Sequence, residues 1–577
     1  MTRPAKQAPS VLSRYVPIFS WIRSYQGSFL RGDLIGALTA WAIVVPESVA
    51  YAQIAGVPPQ NAFYAAPIAL LAYALFGSSR NLVVGATSAA AILSASTVAA
   101  VSSDAKVQIQ LSAALAIVAG VILLVAGLLK MGFITNFLAE SALQGFLFGM
   151  AMIIVIRQLG KVVGISTGDG DFFERLWHLL SHIDEWSVAT IVVGVAAIVA
   201  LLLLERFLPK IPASLAVLAA GIACSYIFSL AKHGVEVVGK IPSSVPTLTV
   251  PDVSATQYGE LLGGSFGLAL IVFAESYSIS SRFAQAHNTE VNADQEMIAM
   301  GASNAAAGIF GGFAVSGSAS RTAAAEGAGG LTQMLSIMAA IMVLITGAFL
   351  TPLFTQLPEP ILGAIVIVAV RGFLRVDLLR RYWQRDRVSF AVALSALLGV
   401  LFFDLLPGLI IAVGLSLILF IGRASDPELA ILQRDGRGDF LDSADNPDTT
   451  GIAGTLIVRP NGGLFFGNVD RVRKEILALV DGSLDPGARP VTQLYLVLTA
   501  SFRLSLPVLD SLGALHSQLQ RSGCQLWLVG VPSSARAELQ ADDLYAAVGP
   551  DHVVHLIGDA VAAGAAGGDG APPAAES

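Results

Sequence analysis

The sequence predicts an α-helical polytopic membrane protein with fourteen spans arranged as a seven-plus-seven inverted repeat, followed by a small cytoplasmic α/β domain. Three observations lead there. Hydrophobic residues make up 55% of the 577 and charged residues only 13%, with a mean hydropathy of +0.71. A soluble chain carries about 25% charged residues, so an ordinary soluble enzyme and a disordered chain are both excluded. Apolar stretches then follow one another over nearly 400 residues, each close to the ~20 residues a bilayer span requires. Finally, the two halves of that region echo each other. A net charge of −7 argues against a nucleic-acid partner. Two distant cysteines, Cys224 and Cys524, exclude a disulfide framework or cysteine metal cluster.

Residues 1–32 are basic (Arg3, Lys6, Arg14, Arg23, Arg31), with Tyr15 and Trp21 among the cations. They read as a cytoplasmic segment at the membrane interface and lack the pattern of a signal peptide. Residues 33–423 form the membrane domain. Its apolar stretches lie near 34–55, 62–79, 82–101, 109–129, 134–158, 186–205, 211–230, 263–284, 292–312, 316–330, 332–354, 356–372, 388–404 and 406–422. The third and tenth are rich in Gly, Ala and Ser and read as half-helices. With the N-terminus inside, the cytoplasmic breaks hold Arg80, Lys130, Arg206, Lys210, Arg282 and the run Arg371, Arg375, Arg380, Arg381, Arg385 and Arg387. The opposite breaks hold Lys106, Arg157, Lys161, Arg175, Lys232 and Lys240. Eleven cations against six satisfy the positive-inside rule. Both termini are therefore expected in the cytoplasm. The lack of a targeting peptide and the short loops point to a bacterial inner (plasma) membrane.

Residues 424–450 are polar and read as a linker. Residues 451–563 read as an α/β domain, with strands at 455–459, 493–499 and 525–529 and helices at 469–480, 507–520, 535–540 and 559–563. The last fourteen residues, 564–577, are low in complexity and read as disordered.

Three segment pairs carry the repeat. AIVVPESVA (42–50) matches LIVFAESYS (270–278) and aligns Glu47 with Glu275; GATSAAA (85–91) matches GSASRTAAA (317–325); LAES (138–141) matches LPEP (357–360). A seven-helix unit is odd-numbered, so the second copy enters the membrane from the opposite side, the plan of many secondary transporters. In that plan, broken helices aim their N-termini at a substrate near the midplane. Free amides and the helix dipole there favour an anion, and Thr87, Ser88, Ser318 and Ser320 add hydroxyl donors. Glu47, Glu275 and Arg321 lie within predicted spans, where an unpaired charge costs at least ~2.5–3.5 kcal/mol. Either Glu275 and Arg321 pair to hold two helices together, or Arg321 gives the site its positive potential while Glu275 takes up a proton. Glu47 follows Pro46 at a predicted helix break and reads equally well as a capping or interfacial residue. Glu140 and Glu359 read as acids near helix starts. There is no phosphate-binding GxxxxGK[ST] string, no histidine metal pattern and no nucleophile–base constellation, so neither a primary pump nor an enzyme is expected, and no cofactor.

The stretch RGDLIGALTAWAIVVPESVAYAQIAGVPPQNAFYAA (31–66) resembles the first-helix signature of the sulfate permease family of anion transporters, with Glu47 in place of the usual Gln. GGFAVSGSASRTAAAEGAGGLTQ (311–333) resembles the tenth-helix signature, Ser320–Arg321 being the family's Ser-Arg pair. PNGGLFFGNVDRVRKEIL (460–477) resembles the opening of a STAS domain. The resemblance implies core and gate domains, with helices 3 and 10 meeting head to head and helices 1 and 8 completing the site. Its lining would be Glu47, Tyr51, Thr87, Ser88, Glu275, Ser318, Ala319, Ser320 and Arg321. It implies elevator-like transport of sulfate, bicarbonate or a dicarboxylate, proton symport through Glu275, and a homodimer. The rivals are an uncoupled exchanger or channel on the same scaffold, and a membrane-anchored STAS signalling protein. Two departures stand out. Ile279 occupies the hydroxyl position of a sodium site, and Pro507–Val508 replaces the Asp and the phosphorylatable residue of STAS antagonists.

Overall fold

The computed structural model describes residues 15–133, 140–168, 170–208, 212–243, 245–403, 405–481 and 490–567. It divides into two compact units, Met1–Ser416 and Leu417–Ser577.

Among the described residues, a helix overlies each of the fourteen predicted apolar stretches. The first half runs α1 (Leu30–Ile54), α2 (Gln60–Phe76), β1 (Val84–Gly85), α3 (Ser88–Val101), α4 (Ala105–Leu128), α5 (Glu140–Val163), α6 (Phe172–Ser181), α7 (Val188–Phe207) and α8 (Ala213–Phe228). The second half repeats the order: α9 (Ala255–Ala286), α10 (Ala293–Ile309), β2 (Ser316–Gly317), α11 (Ala319–Gly327), α12 (Met334–Ile345), α13 (Glu359–Val370), α14 (Val376–Arg385), α15 (Arg387–Phe403) and α16 (Leu405–Ala424). Among the described residues, six helical segments are long and apolar enough to cross a membrane: Gly27–Ile54, Ala105–Leu128, Glu140–Val163, Val188–Phe207, Ala255–Ala286 and Met334–Gln356. The third and tenth stretches, read as half-helices, are each a two-residue strand followed by a helix, of 14 residues in α3 and 9 in α11.

Two of these sixteen helices lie outside the expected set. α6 and α14 occupy equivalent places in the two halves. Each carries aromatic and charged residues together, with Trp177 and Trp383 exposed, and neither has the long apolar run of a span. They read as interfacial helices.

Close helix contacts explain the abundance of Gly. A Cβ on Gly120 of α4 would meet the backbone of Gly301 and Ala305 on α10, and a Cβ on Gly301 would meet Gly120 in return. A Cβ on Gly145 of α5 would strike the backbone of Ala393 on α15. Helices packed in lipid use small residues at such crossings. Glu296 of α10 is fully buried, yet well supplied with donors. It accepts hydrogen bonds from the Tyr73 hydroxyl (2.8 Å), the Ser78 amide (2.9 Å) and hydroxyl (2.7 Å), the Ser79 amide (3.2 Å) and the Ser280 hydroxyl (3.1 Å). These bonds tie α2, α9 and α10 into one body.

The second unit is a six-stranded sheet ordered β4-β3-β5-β6-β7-β8. Its strands are β3 (Leu429–Arg434), β4 (Phe440–Asp442), β5 (Thr455–Pro460), β6 (Gln493–Val497), β7 (Gln525–Val529) and β8 (Val553–Val554). β5 to β8 are parallel, while β3 and β4 run antiparallel at one side. On one face, α17 (Val469–Asp481), α18 (Leu506–Arg521), α19 (Ser533–Gln540) and α20 (Asp543–Val548) pack over Val458, Leu494, Leu496, Leu526 and Leu528. On the other, α21 (Ile557–Gly567) packs over Tyr495 and Trp527. Burial on both faces is why β6 and β7 read as continuous apolar runs.

Two expectations are corrected here. Residues 424–450 are not a linker throughout, because β3 and β4 belong to the sheet. β3 is only half-buried, so its sequence, LAILQR, mixes polar and apolar positions and hides the strand. The 564–577 tail is helical as far as Gly567; residues 568–577 lie outside the described residues. Pro507 sits in the first turn of α18, where its missing N–H costs nothing, and Val508 is fully buried.

Candidate functional site

β1 and β2 bring the two halves together at their cores. The strands pair antiparallel, Val84 opposite Gly317 and Gly85 opposite Ser316. The Ser318 amide also donates to the Val83 carbonyl (3.1 Å). Each strand leads straight into a helix, so the N-termini of α3 and α11 are held side by side.

Thr87 caps α3, its hydroxyl accepting from the Ala90 amide at 3.4 Å. Ser318 caps α11 in the same way, accepting from the Arg321 amide at 3.4 Å. A helix leaves its first N–H groups without intrahelical partners. Among the described residues, the amides of Ser88, Ala89, Ala319 and Ser320 make no hydrogen bond. The Ser318 and Ser320 hydroxyls are 3.1 Å apart, and Ala319 and Ser320 are exposed.

Arg321 is fully buried and organises the charges around it. Its Nε lies 3.3 Å from Oε2 of Glu47 on α1. Its Nη2 donates to the carbonyl of Ala86, and its Nη1 lies against Gly85, where any side chain would collide with it. Glu47 follows Pro46 inside α1, and proline removes one hydrogen bond of the helix ladder there. The interfacial placement considered for Glu47 is not what the structure shows: the side chain is buried against Arg321.

The second carboxylate, Glu275 on α9, does not form the ion pair with Arg321. Its Oε2 accepts from the Ser316 hydroxyl at 2.9 Å, and the Thr87 hydroxyl is a further hydrogen-bonding neighbour. Ser276 braces the same corner, accepting from the Gly317 amide at 2.9 Å with its hydroxyl 3.2 Å from that of Ser316. Tyr51, buried one turn beyond Glu47, neighbours all three charged groups.

α1, α3, α9 and α11 thus bring the predicted residues to one place. Four contributors were missed in the sequence: Gly85, Ala86, Ser276 and Ser316. The first two open the GATSAAA segment itself, and the serines flank residues already singled out. Extending the repeat alignment by one position would have reached Ser316, the partner of Gly85 in the ladder. Among the described residues, no three His, Cys, Asp or Glu side chains form a metal-binding group. The ligands offered are amides, hydroxyls and a guanidinium, which suit an oxyanion.

A cavity of about 780 Å³ reaches the site from one side. α1 lines one wall with Ile35, Thr39, Ile43 and Glu47, alongside Ser320, Ala323 and Ala324 of α11. α7, α8 and α13 form the other wall. At the rim, Arg371 Nη2 and Glu205 Oε2 are 2.6 Å apart.

The sequence profile of the sulfate permease family matches residues 30–396, which hold all of these elements. The chain belongs to the sulfate permease family. Its C-terminal unit carries a STAS domain, matched over residues 446–551. A probable sulfate transporter of Mycobacterium tuberculosis is 32% identical over 543 residues, covering 94% of this chain and 96% of that protein. Sulfate transporter 1.1 of Arabidopsis thaliana is 28% identical, covering 97% and 89%. The fold matches that of the murine solute carrier 26 family member A9, an anion transporter in the inward-facing state, with a TM-score of 0.88 and 23% identity over 98% and 96% of the two chains. It also matches the transmembrane domain of a cyanobacterial bicarbonate transporter, with a TM-score of 0.60 and 22% identity over 68% and 99%. This permease is accordingly a multi-pass membrane protein of an anion-transporter family.

Proposed function

We propose that this permease is a secondary active transporter that carries sulfate, or a small oxyanion or carboxylate of similar size, together with a proton. The observation that carries the reading is the meeting of two helix N-termini beside a fully buried arginine and two carboxylates. The anion lies between the ends of α3 and α11, on the free amides of Ser88, Ala89, Ala319 and Ser320 and the hydroxyls of Thr87, Ser318 and Ser320. Arg321 supplies positive potential, and Tyr51 closes the pocket.

Counting charges gives the coupling. Glu47 and Glu275, both ionised beside Arg321, sum to −1, which repels an incoming anion. One proton on Glu275 brings the cluster to zero. The repulsion removed is substantial: two unit charges ~5 Å apart interact by about 3 kcal/mol at an effective dielectric constant of ~20. Ile279, buried one turn after Glu275, offers no oxygen to a sodium ion, which favours the proton.

The mechanism is elevator-like alternating access. The two halves form an inverted repeat, a reading supported by the antiparallel pairing of β1 with β2. α1, α3, α9 and α11 carry the anion past a wall built from α5, α7, α8, α13 and α15. The cavity opens to the cytoplasm, because its rim holds Arg371, one of the cations that the positive-inside rule assigns to that side. Both termini are cytoplasmic, the membrane is the inner (plasma) membrane, and the permease works as a homodimer, as the family resemblance implies.

The test is uptake of radiolabelled sulfate, bicarbonate and fumarate into proteoliposomes, with and without an inward proton gradient, for the wild type and Glu275→Gln. One anion should accumulate only with the gradient, and the variant should lose that dependence. Gradient-independent uptake, unchanged in the variant, would make the permease an exchanger or facilitator with a structural Glu275.

A further inference from the structure

Gln53, Lys161 and Glu359 form a closed triangle on the far side of the site from the cavity. The Gln53 side-chain amide donates to Glu359 Oε1 at 2.6 Å. Its carbonyl oxygen accepts from Lys161 Nζ at 2.6 Å. Lys161 Nζ and Glu359 Oε2 are 2.8 Å apart. Three helices meet here: α1, which bears Glu47; α5; and α13, which forms part of the cavity's opposite wall. None of the three residues belongs to the site described above.

The position within each helix is informative. Gln53 lies six residues beyond Glu47, about 9 Å at 1.5 Å per residue. Glu359 lies six residues before Ile365, a cavity-lining residue of α13, an equal distance. α1 and α13 therefore touch at one end and part at the other, with the site between. We infer that the triangle is the closed gate on the far side of the site, a latch that holds the permease with its cavity open and must break before the site faces the opposite side. The inference rests on the alternating-access reading above.

The chemistry suits a latch better than a permanent staple. The Lys161 and Glu359 side chains keep 30% and 16% of their surface exposed, so both charges can separate into water. A fully buried pair would leave charges stranded on opening. Gln53 reads the polarity of the pair, with its N–H on the anion and its C=O on the cation. An amide can flip end for end, so the triangle should tolerate exchange of the two charges.

The test uses the full-length chain carrying Cys224→Ser, which removes the exposed thiol, and Thr39→Cys as a reporter in the cavity wall. Labelling by a hydrophilic maleimide is timed in detergent micelles. Lys161→Glu and Glu359→Lys should each slow labelling at least threefold, because the broken latch lets the cavity close. The exchange Lys161→Glu/Glu359→Lys should restore the parent rate to within twofold. Gln53→Leu, which leaves both charges in place, should slow labelling on its own and guards against misfolding of the charge variants. Single variants that label at the parent rate would overturn the latch; so would slow labelling that the exchange fails to restore. Sulfate uptake by the Cys224→Ser parent is judged separately. A parent that takes up no sulfate would remove the transport reading and the latch with it, whereas normal parent uptake with unchanged labelling would remove the latch alone.

Discussion

Glu47→Gln isolates the charge count at the site. Glu47 Oε2 lies 3.3 Å from Nε of a guanidinium with no exposed surface. At that distance the attraction is about 5 kcal/mol at an effective dielectric constant of ~20. Removing one partner of a buried pair costs roughly 3–5 kcal/mol, because the other charge is left unpaired. The anion-free variant should therefore be less stable than the wild type. Bound sulfate should repay that loss, since Arg321 then has no carboxylate competing for it. Relief of repulsion adds to the gain, about 3 kcal/mol per unit charge at ~5 Å, part of which water in the cavity screens. Binding of radiolabelled sulfate to the purified protein at pH 7.5 should tighten at least tenfold in the variant, and its affinity should depend less on pH than that of the wild type. Equal or weaker binding by Glu47→Gln would refute the charge count and the assignment of Glu47 as a neighbour of the anion.

Other predictions follow from the same geometry. Gly85→Ala places a methyl group against Arg321 Nη1; sulfate binding should fall at least tenfold while the protein still elutes as the wild type on size exclusion. Burial pushes the Cys524 thiol up to about 11, so maleimide at pH 7.5 should label exposed Cys224 and leave Cys524 unmodified, as mass spectrometry of digested peptides would report. Burial holds the His516 imidazole below its usual range. The unfolded chain then binds the proton first, so stability is present above about pH 6.5 and falls as the pH drops below it. Hydrogen exchange in α18, corrected for the intrinsic rate, should speed up between pH 7.5 and 5.5, and His516→Leu should blunt that change. Removing residues 426–577 should leave sulfate uptake in place if the STAS domain is regulatory; a cut at residue 440 would keep β3 without its partners and is expected to aggregate.

How much of this was legible in the sequence depended on the signal. Each of the fourteen apolar stretches overlies a helix, six of them in segments long and apolar enough to cross a membrane among the described residues, because a span in lipid must be apolar over most of its length. The same rule hid α6 and α14, whose half-polar sequences fit an interface. The repeat located the breaks that open α3 and α11, because equivalent Gly-Ala-Ser segments mark equivalent helix breaks, while their meeting was implied by the family resemblance. The sequence offered only Glu275 as a pairing partner for Arg321, whereas the ion pair is made by Glu47, because choosing between them requires knowing the rotation of α1 and α9 about their axes. The Ala86 carbonyl and the Ser276 hydroxyl were invisible because their roles depend on backbone direction and on a two-residue ladder. The Gln53–Lys161–Glu359 triangle joins residues 108 and 306 positions apart, and no local pattern announces such a contact. In the soluble unit the inner strands stood out as apolar runs, while β3 and β4 at the edge did not.

Proton movement with sulfate tests the central claim most directly. Proteoliposomes loaded with a pH-sensitive dye are given an inward sulfate gradient with no imposed pH difference. The wild type should acidify the lumen as sulfate enters, and Glu275→Gln should not. Sulfate entry without acidification in the wild type, or equal acidification in the variant, would contradict proton symport through Glu275.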